Sequence, residues 1–172
     1  MKKVILISIL ILSVVLISGC AGKGILVMQI TDQPKLNIEK AEVTISKVQV
    51  HMAGAGEEEN ATTQAGWYTV VDEAKMFDLV AIKDVKEFLG SAVLDAGKYT
   101  QIRLNVDKAL VTIDGMQYDL KIPSKTVKLT KPFDIIANQT TTLTLDFDAD
   151  KSIHSAGKDK YIMRPTIKII QE

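Results

Sequence analysis

A two-residue hairpin signal in the middle of the chain constrains its fold most strongly. Asp114 and Gly115 separate two runs of alternating apolar and polar residues, Leu110–Ile113 and Met116–Leu120. Because an Asp-Gly pair accepts the positive φ angles of a tight turn, this pattern predicts a β-hairpin with one apolar face. Similar short runs, separated by turn residues, continue along the chain. The sequence therefore predicts an all-β fold.

The other runs add detail to this prediction. The apolar positions of the strand at 41–52 change phase near Ser46, which indicates a β-bulge. Pro165 interrupts the last predicted strand, at 160–170, so that strand is expected at a sheet edge or kinked. A helical segment is predicted at Asp84–Leu89, with Gly90 ending it. Together the elements predict an antiparallel β-sandwich of about eight strands with one short helical segment.

The N-terminal residues predict an export signal and a lipid anchor. Lys2 and Lys3 precede the apolar run Val4–Ile17, which is shorter than the roughly 20 residues of a membrane span. The next residues, Ser18-Gly19-Cys20, complete a segment that resembles the lipobox of prokaryotic lipoproteins. We predict a signal peptide at 1–19, a lipidated Cys20 with a short tether at 20–23, and a β-sandwich domain at 24–172. The alternative is an uncleaved N-terminal anchor with an unmodified Cys20.

The charge balance and the single cysteine argue against nucleic-acid binding and against sites that need several cysteines. The chain has 21 basic and 21 acidic residues, a formal net charge of +0, and no basic stripe of the kind that binds nucleic acid. Its single cysteine excludes an internal disulfide, a thiolate zinc site and an iron–sulfur cluster. We expect no cofactor. The expected location is extracytoplasmic and membrane-anchored, at the outer face of the cell membrane or in the outer membrane of a two-membrane bacterium.

Four segments carry a resemblance to a known family. They are Thr31-Asp32-Gln33-Pro34, Leu94–Leu104 (LDAGKYTQIRL), Pro123-Ser124 and Leu145–Ser152 (LDFDADKS). In this order and after a lipobox, they resemble the prokaryotic domain-of-unknown-function family 4382, which implies no activity. Ala96-Gly97-Lys98-Tyr99 also resembles the AGxY turn of transthyretin-like and carboxypeptidase-regulatory-like sandwiches. That resemblance implies a turn at Gly97 and a packed Tyr99. The sandwich is expected to be a transthyretin-like or Ig-like Greek key.

Asp146, Asp148 and Asp150 are the candidate metal ligands. Their spacing matches the first three ligand positions of an EF-hand loop, but Lys151 stands at its glycine position and Gly157 at its bidentate glutamate position. The alternation around them favours a solvated strand face or pairing with Arg103 or Lys151. A single hard cation held with backbone carbonyls stays open as the alternative.

Three further residues are candidates for binding or modification. Trp67 follows a polar loop, and an exposed indole there suits stacking against a glycan, although aromatic residues on strands are more often part of the core. Asn60 and Asn138 begin Asn-X-Thr acceptor patterns. They are expected to carry glycans if the source glycosylates exported proteins, as many archaea do.

The expected function is a lipid-anchored binding or interaction module whose ligand is unknown. We expect that the protein is not an enzyme, and we predict no catalytic residues, because the sequence lacks G-x-S-x-G, H-E-x-x-H and phosphate-loop motifs. The expected partners are the membrane, through the lipid, and an envelope protein or glycan, but no nucleic acid. One alternative is a structural accessory subunit of an envelope complex. A remoter one is a hydrolase that uses His154, between Ser152 and Ser155.

Overall fold

The chain folds into two β-sheets packed face to face. The computed structural model describes residues 22–32, 38–54 and 65–172. Within them the elements are β1 (Lys23–Asp32), β2 (Lys40–Met52), β3 (Gly66–Val71), β4 (Lys75–Asp78), β5 (Glu87–Asp95), β6 (Gly97–Ile113), β7 (Met116–Lys121), β8 (Thr126–Ile135), β9 (Thr140–Phe147), α1 (Ala149–Ser152), β10 (Ile153–Ser155), β11 (Tyr161–Met163) and β12 (Ile167–Gln171).

The larger sheet is built on the long strands β2 and β6, which pair with each other. Strands β4 and β3 lie end to end along β2, strands β8 and β7 lie end to end along β6, and β11 and β10 extend the sheet beyond β7. The smaller sheet has the order β12-β9-β1-β5. Leu26 and Met28 of the smaller sheet and Ile102 and Leu104 of the larger one are fully buried. The predicted all-β sandwich is confirmed.

Two details of the predicted sandwich are wrong. The sheets are mixed rather than wholly antiparallel, because β9 runs parallel to β1 and β11 runs parallel to β7. The turn after β8 brings the chain beside the start of β1, where the Ile25 N–H donates to the carbonyl of Gln139, so β9 must run alongside β1 in the same direction. The described residues also form twelve strands rather than about eight. Pro165 accounts for part of this difference, because β11 and β12 separate there and join different sheets.

The helical segment predicted at Asp84–Leu89 is also wrong. Asp84 has a φ of 57° within a turn, and β5 begins at Glu87. Pairing with β1 overrides the local helical pattern and turns Leu89 into the core while Phe88 stays exposed. The helix among the described residues is α1, a four-residue segment preceded by Asp148.

Two predicted local features are confirmed. Asp114 and Gly115 have φ angles of 50° and 72°, and they join β6 to β7 as a two-residue turn. Ser46 is left without a partner on β6, because Ile45 lies opposite Val106 and Lys47 lies opposite Asn105. This bulge explains the change of phase in the apolar pattern of β2.

The start of β6 has the geometry that the AGxY resemblance implies. Gly97 has a φ of 153°, and a Cβ atom there would lie 2.4 Å from the Met52 methyl carbon. Tyr99 is fully buried and stacks on Phe133, with ring centroids 5.4 Å apart. Its hydroxyl donates to the Asp95 carbonyl at 3.0 Å. Tyr99 therefore ties the turn between β5 and β6 to the core.

Burial gives Tyr99 a pH-dependent effect on stability. Burial, followed by the effects of Tyr68 and Asp95, raises the pKa of the Tyr99 hydroxyl from 10.0 to about 12. Between these pH values the unfolded chain loses this proton while the folded chain keeps it, so the free energy of unfolding falls as the pH rises. We expect the melting temperature to drop more steeply between pH 10 and 12 in the wild-type protein than in Tyr99→Phe. Equal slopes in the two proteins would contradict this assignment.

Candidate functional site

One surface of the larger sheet points away from the core and carries side chains from four strands. Along β6, buried positions alternate with outward ones, so Gln101, Arg103 and Asn105 lie on this outer face. The strand register aligns them with outward residues of the neighbouring strands. One row across the sheet is Trp67, His51, Gln101 and Thr130, and the next is Thr69, Gln49, Arg103 and Lys128.

Trp67 and Arg103 form a cation–π contact on this face. The Cζ atom of Arg103 lies 3.7 Å from the centroid of the Trp67 ring. His51 contacts the same indole, with centroids 4.9 Å apart and ring planes tilted by 58°. Trp67 is only partly exposed. Stacking on an indole restrains a guanidinium while its N–H edges stay able to bind a ligand, so Trp67 is placed to position Arg103.

A surface depression of about 530 Å³ lies beside Arg103. We call it the Arg103 depression; its lining residues are Gln49, Arg103, Asn105, Ser124, Thr126 and Lys128. Arg103 and Lys128 are direct cross-strand partners, no carboxylate lines the depression, and neither cation forms an ion pair within the described residues. The Nε atom of Arg103 is buried and has no hydrogen-bond partner among the described residues.

Two smaller depressions, of about 320 and 380 Å³, flank β8. They add Lys131, Arg164 and Lys168 to the cations along this strand, and no acidic residue lines either of them. None of the five cations around β8 was predicted as a site residue. They are far apart in a chain with no net charge, and only the pairing of β6 with β8 and the approach of β12 bring them together.

The three candidate metal ligands lie at the end of β9 and the start of α1. Asp148 caps α1, because its Oδ1 accepts from the Lys151 N–H at 3.0 Å and its Oδ2 lies 2.6 Å from the Lys151 Nζ. Asp146 lies opposite Lys168; burial raises the pKa of its carboxyl, while Lys168 lowers it. Asp150 stands in the first turn of the helix. Among the described residues, no group of three potential ligands is arranged to hold a metal ion.

The cap geometry leads to a prediction about Asp148. Replacing an N-cap aspartate with alanine costs about 0.5–2 kcal/mol, so we expect Asp148→Ala to lower the free energy of unfolding by an amount in this range. Calcium should leave the difference between the two proteins unchanged, as measured by urea unfolding with calcium and with chelator. A loss of stability that appears only when calcium is present would instead assign Asp148 as a ligand.

His154 and Ser152, two residues of the hydrolase alternative, lie at or just after the end of α1. His154 is exposed on β10, while Ser152 is buried. The Ser152 hydroxyl donates to the Asp148 carbonyl at 2.6 Å and accepts from the Thr166 N–H at 2.9 Å. The first contact lies within the turn of α1, and the second ties α1 to the segment before β12, so this hydroxyl has a structural role.

Of the two predicted glycan acceptors and the predicted lipid anchor, the structure describes Asn138. Asn138 is exposed in the turn between β8 and β9, with a φ of 60°, and its N–H donates to the Lys23 carbonyl. Cys20, the predicted signal peptide at 1–19 and Asn60 lie outside the described residues. In the part of the chain that the structure describes, no helix has the length and apolar character needed to cross a bilayer.

The fold and this face define a two-sheet all-β domain with an outward aromatic and basic surface. The model of the family described as domain of unknown function DUF4382 matches residues 23–165, and the chain belongs to this family. The match spans the described strands from β1 to the segment that follows β11. No significant match was found among curated proteins or among solved structures.

Proposed function

We propose that this protein is a lipid-anchored, extracytoplasmic binding module, and not an enzyme, that holds an acidic envelope glycan in the Arg103 depression. The anchor is supported by the sequence, in which the single cysteine stands at Cys20, directly after the apolar run and Ser18-Gly19. Lipoprotein processing adds more than one acyl chain, which is what stable anchoring requires. The ligand assignment rests on the outer face of the larger sheet.

The main support is the unbalanced pair of cations in the depression. Arg103 and Lys128 lie directly opposite each other on β6 and β8. Like charges in this arrangement destabilise a sheet. An anionic group between them relieves this repulsion, and it also meets a guanidinium whose planar edge suits a carboxylate or a phosphate.

The other lining residues suit the neutral parts of a sugar chain. Gln49, Asn105, Ser124 and Thr126 supply amide and hydroxyl groups. The Ser124 and Thr126 hydroxyls donate to the Thr126 carbonyl and to the Asn105 Oδ1, so toward a ligand they act as acceptors. The two flanking depressions continue along β8 with further cations. Cations spread along the length of β8 favour an extended anionic polymer over a small compact ligand.

Thermal melting tests this proposal. The full chain in non-ionic detergent is titrated with polygalacturonate, poly(glycerol phosphate) and neutral dextran. A ligand at a hundred times its Kd adds about 2.7 kcal/mol, which raises the melting temperature by roughly 5–11 °C for a domain of this size. We expect this rise with an acidic polymer, weaker at high salt, and none with dextran. No rise with either acidic polymer, or an equal rise with dextran, would contradict the proposal.

A second candidate, an accessory subunit that contacts another envelope protein, is favoured by a different surface. A depression of about 630 Å³ between β3 and β5 is lined in part by Val70, Val71 and Phe88. Phe88 is 53% exposed at this depression. An exposed apolar surface of this kind marks a protein contact. A photo-crosslinking residue at Phe88 would capture an envelope protein in intact cells under this alternative and lipid or nothing otherwise.

A further inference from the structure

Three exposed apolar side chains lie at the end of the sandwich where β1 begins. Ile25 and Val93 are direct cross-strand partners on β1 and β5, with exposed fractions of 44% and 64%. Ile136 is 52% exposed in the turn after β8. The Ile136 carbonyl packs so closely on Gly24 that a Cβ atom on Gly24 would lie 2.4 Å from it. We call Ile25, Val93 and Ile136 the apolar rim.

The apolar rim lies close to the proposed lipid attachment point. The Gly22 carbonyl accepts from the Ala96 N–H at 2.7 Å, which fixes the chain at the turn between β5 and β6. Cys20 stands two residues before Gly22, and two residues span at most roughly 7 Å. A lipid on Cys20 therefore holds this end of the domain against the bilayer surface.

We propose that the apolar rim is a membrane-contacting surface, which enters the headgroup region beside the lipid anchor and orients the domain. This inference rests on the lipid anchor of the proposed function. Apolar side chains gain free energy on leaving water at such an interface. The Lys23 side chain is 65% exposed at the same end, and its ammonium lies 3.7 Å from the Asp95 carboxylate. An ion pair this exposed is weak, so the ammonium can exchange it for lipid phosphates.

The membrane contact has a consequence for Asn138. This residue lies two positions after Ile136, in the same turn, and its N–H donates to the Lys23 carbonyl. A glycan on Asn138 would occupy the space between this turn and the bilayer. Glycosylation at Asn138 and insertion of the apolar rim therefore compete for the same space.

Tryptophan quenching by brominated lipid tests the contact. The full chain, expressed with its own N-terminus and purified in detergent from whole cells, carries Trp67→Phe and Val93→Trp and is reconstituted into phosphatidylcholine–phosphatidylglycerol vesicles. The matched control carries Trp67→Phe and Met116→Trp; Met116 is 58% exposed opposite Ile113, the last residue of the seventeen-residue strand β6. We expect blue-shifted, strongly quenched emission from the V93W chain and neither change in the M116W chain.

The outcomes separate this inference from the lipid anchor. A chain that floats with the vesicles, but whose V93W emission is not quenched, overturns the membrane contact alone. A chain that stays in the aqueous fraction with a free thiol at Cys20 overturns the anchor and the contact that rests on it. Equal quenching in the V93W and M116W chains also overturns the contact, because it would show no preferred orientation.

Discussion

Tyr99→Ala is expected to lower the free energy of unfolding by about 3–5 kcal/mol, as removal of a buried aromatic ring does. Tyr99 is fully buried, stacks on Phe133 and meets Tyr68 edge-on at a centroid distance of 6.1 Å. Its loss would leave a cavity between the sheets where the turn from β5 enters β6. Urea unfolding followed by circular dichroism measures the change.

Two control variants separate the ring from its hydroxyl and from aromatic content in general. Tyr99→Phe keeps the stacked ring and loses one hydrogen bond, so it should cost about 0.5–1.5 kcal/mol. Tyr118→Ala removes a partly exposed ring that contacts Tyr161 at the margin of the core. It should cost clearly less than Tyr99→Ala. Equal losses in Tyr99→Ala and Tyr118→Ala would contradict the central place of Tyr99 in the core.

Arg103→Gln is expected to weaken binding of an acidic polymer by about 10- to 150-fold, which corresponds to the 1.5–3 kcal/mol of a hydrogen bond to a charged group. The substitution removes the charge and the planar fork but leaves a polar side chain of moderate length. Calorimetric titration with polygalacturonate or poly(glycerol phosphate), whichever raises the melting temperature, measures the loss.

The matched control for charge alone is Lys108→Gln. Lys108 is also an exposed cation of β6, but it lies opposite Thr44 and outside the lining of the Arg103 depression. We expect Lys108→Gln to bind the acidic polymer with nearly wild-type affinity. Lys128→Gln should bind it more weakly, as Arg103→Gln does. Similar losses in all three variants would indicate a diffuse charge effect and would contradict a defined site.

The role of Trp67 can be measured in the same titration. If the indole positions the guanidinium, Trp67→Ala should weaken acidic-polymer binding in a protein that still has Arg103, and it should have little further effect in Arg103→Gln. This non-additivity is expected of residues in contact. Independent, additive losses would assign Trp67 its own contact with the ligand.

Local backbone signals in the sequence were the most reliable guide to the fold. The turn at Asp114-Gly115, the bulge at Ser46 and the break at Pro165 each follow from the φ preference, side-chain alternation or missing N–H of a few residues. The helix predicted at 84–89 is wrong because its helical pattern is weak and because residues from Glu87 onward form backbone hydrogen bonds with β1 instead. The parallel pairing of β1 with β9 joins two segments that lie more than 100 residues apart in sequence, and no local pattern encodes such a pairing.

In the candidate site, too, single residues could be identified from local sequence, but their contacts could not. Trp67 was identifiable from its position after a polar loop, but its contact with Arg103 depends on β2 lying between β3 and β6. The pairing of Arg103 with Lys128 likewise depends on the register of β6 and β8. The spacing of Asp148 marks it only as a candidate metal ligand, and its role as the cap of α1 is visible only in the hydrogen bond that it accepts from the Lys151 N–H. Cross-strand register thus determines which polar residues share a surface.

Hydrogen–deuterium exchange of the full chain, with and without a saturating acidic polymer, tests the proposed ligand face most directly. Binding at the Arg103 depression should slow amide exchange in peptides that cover Gln49, Arg103 and the β8 segment from Ser124 to Lys128. The protection should disappear in Arg103→Gln. Protection confined to β5, or exchange that the polymer leaves unchanged throughout, would contradict an acidic-glycan site on this face.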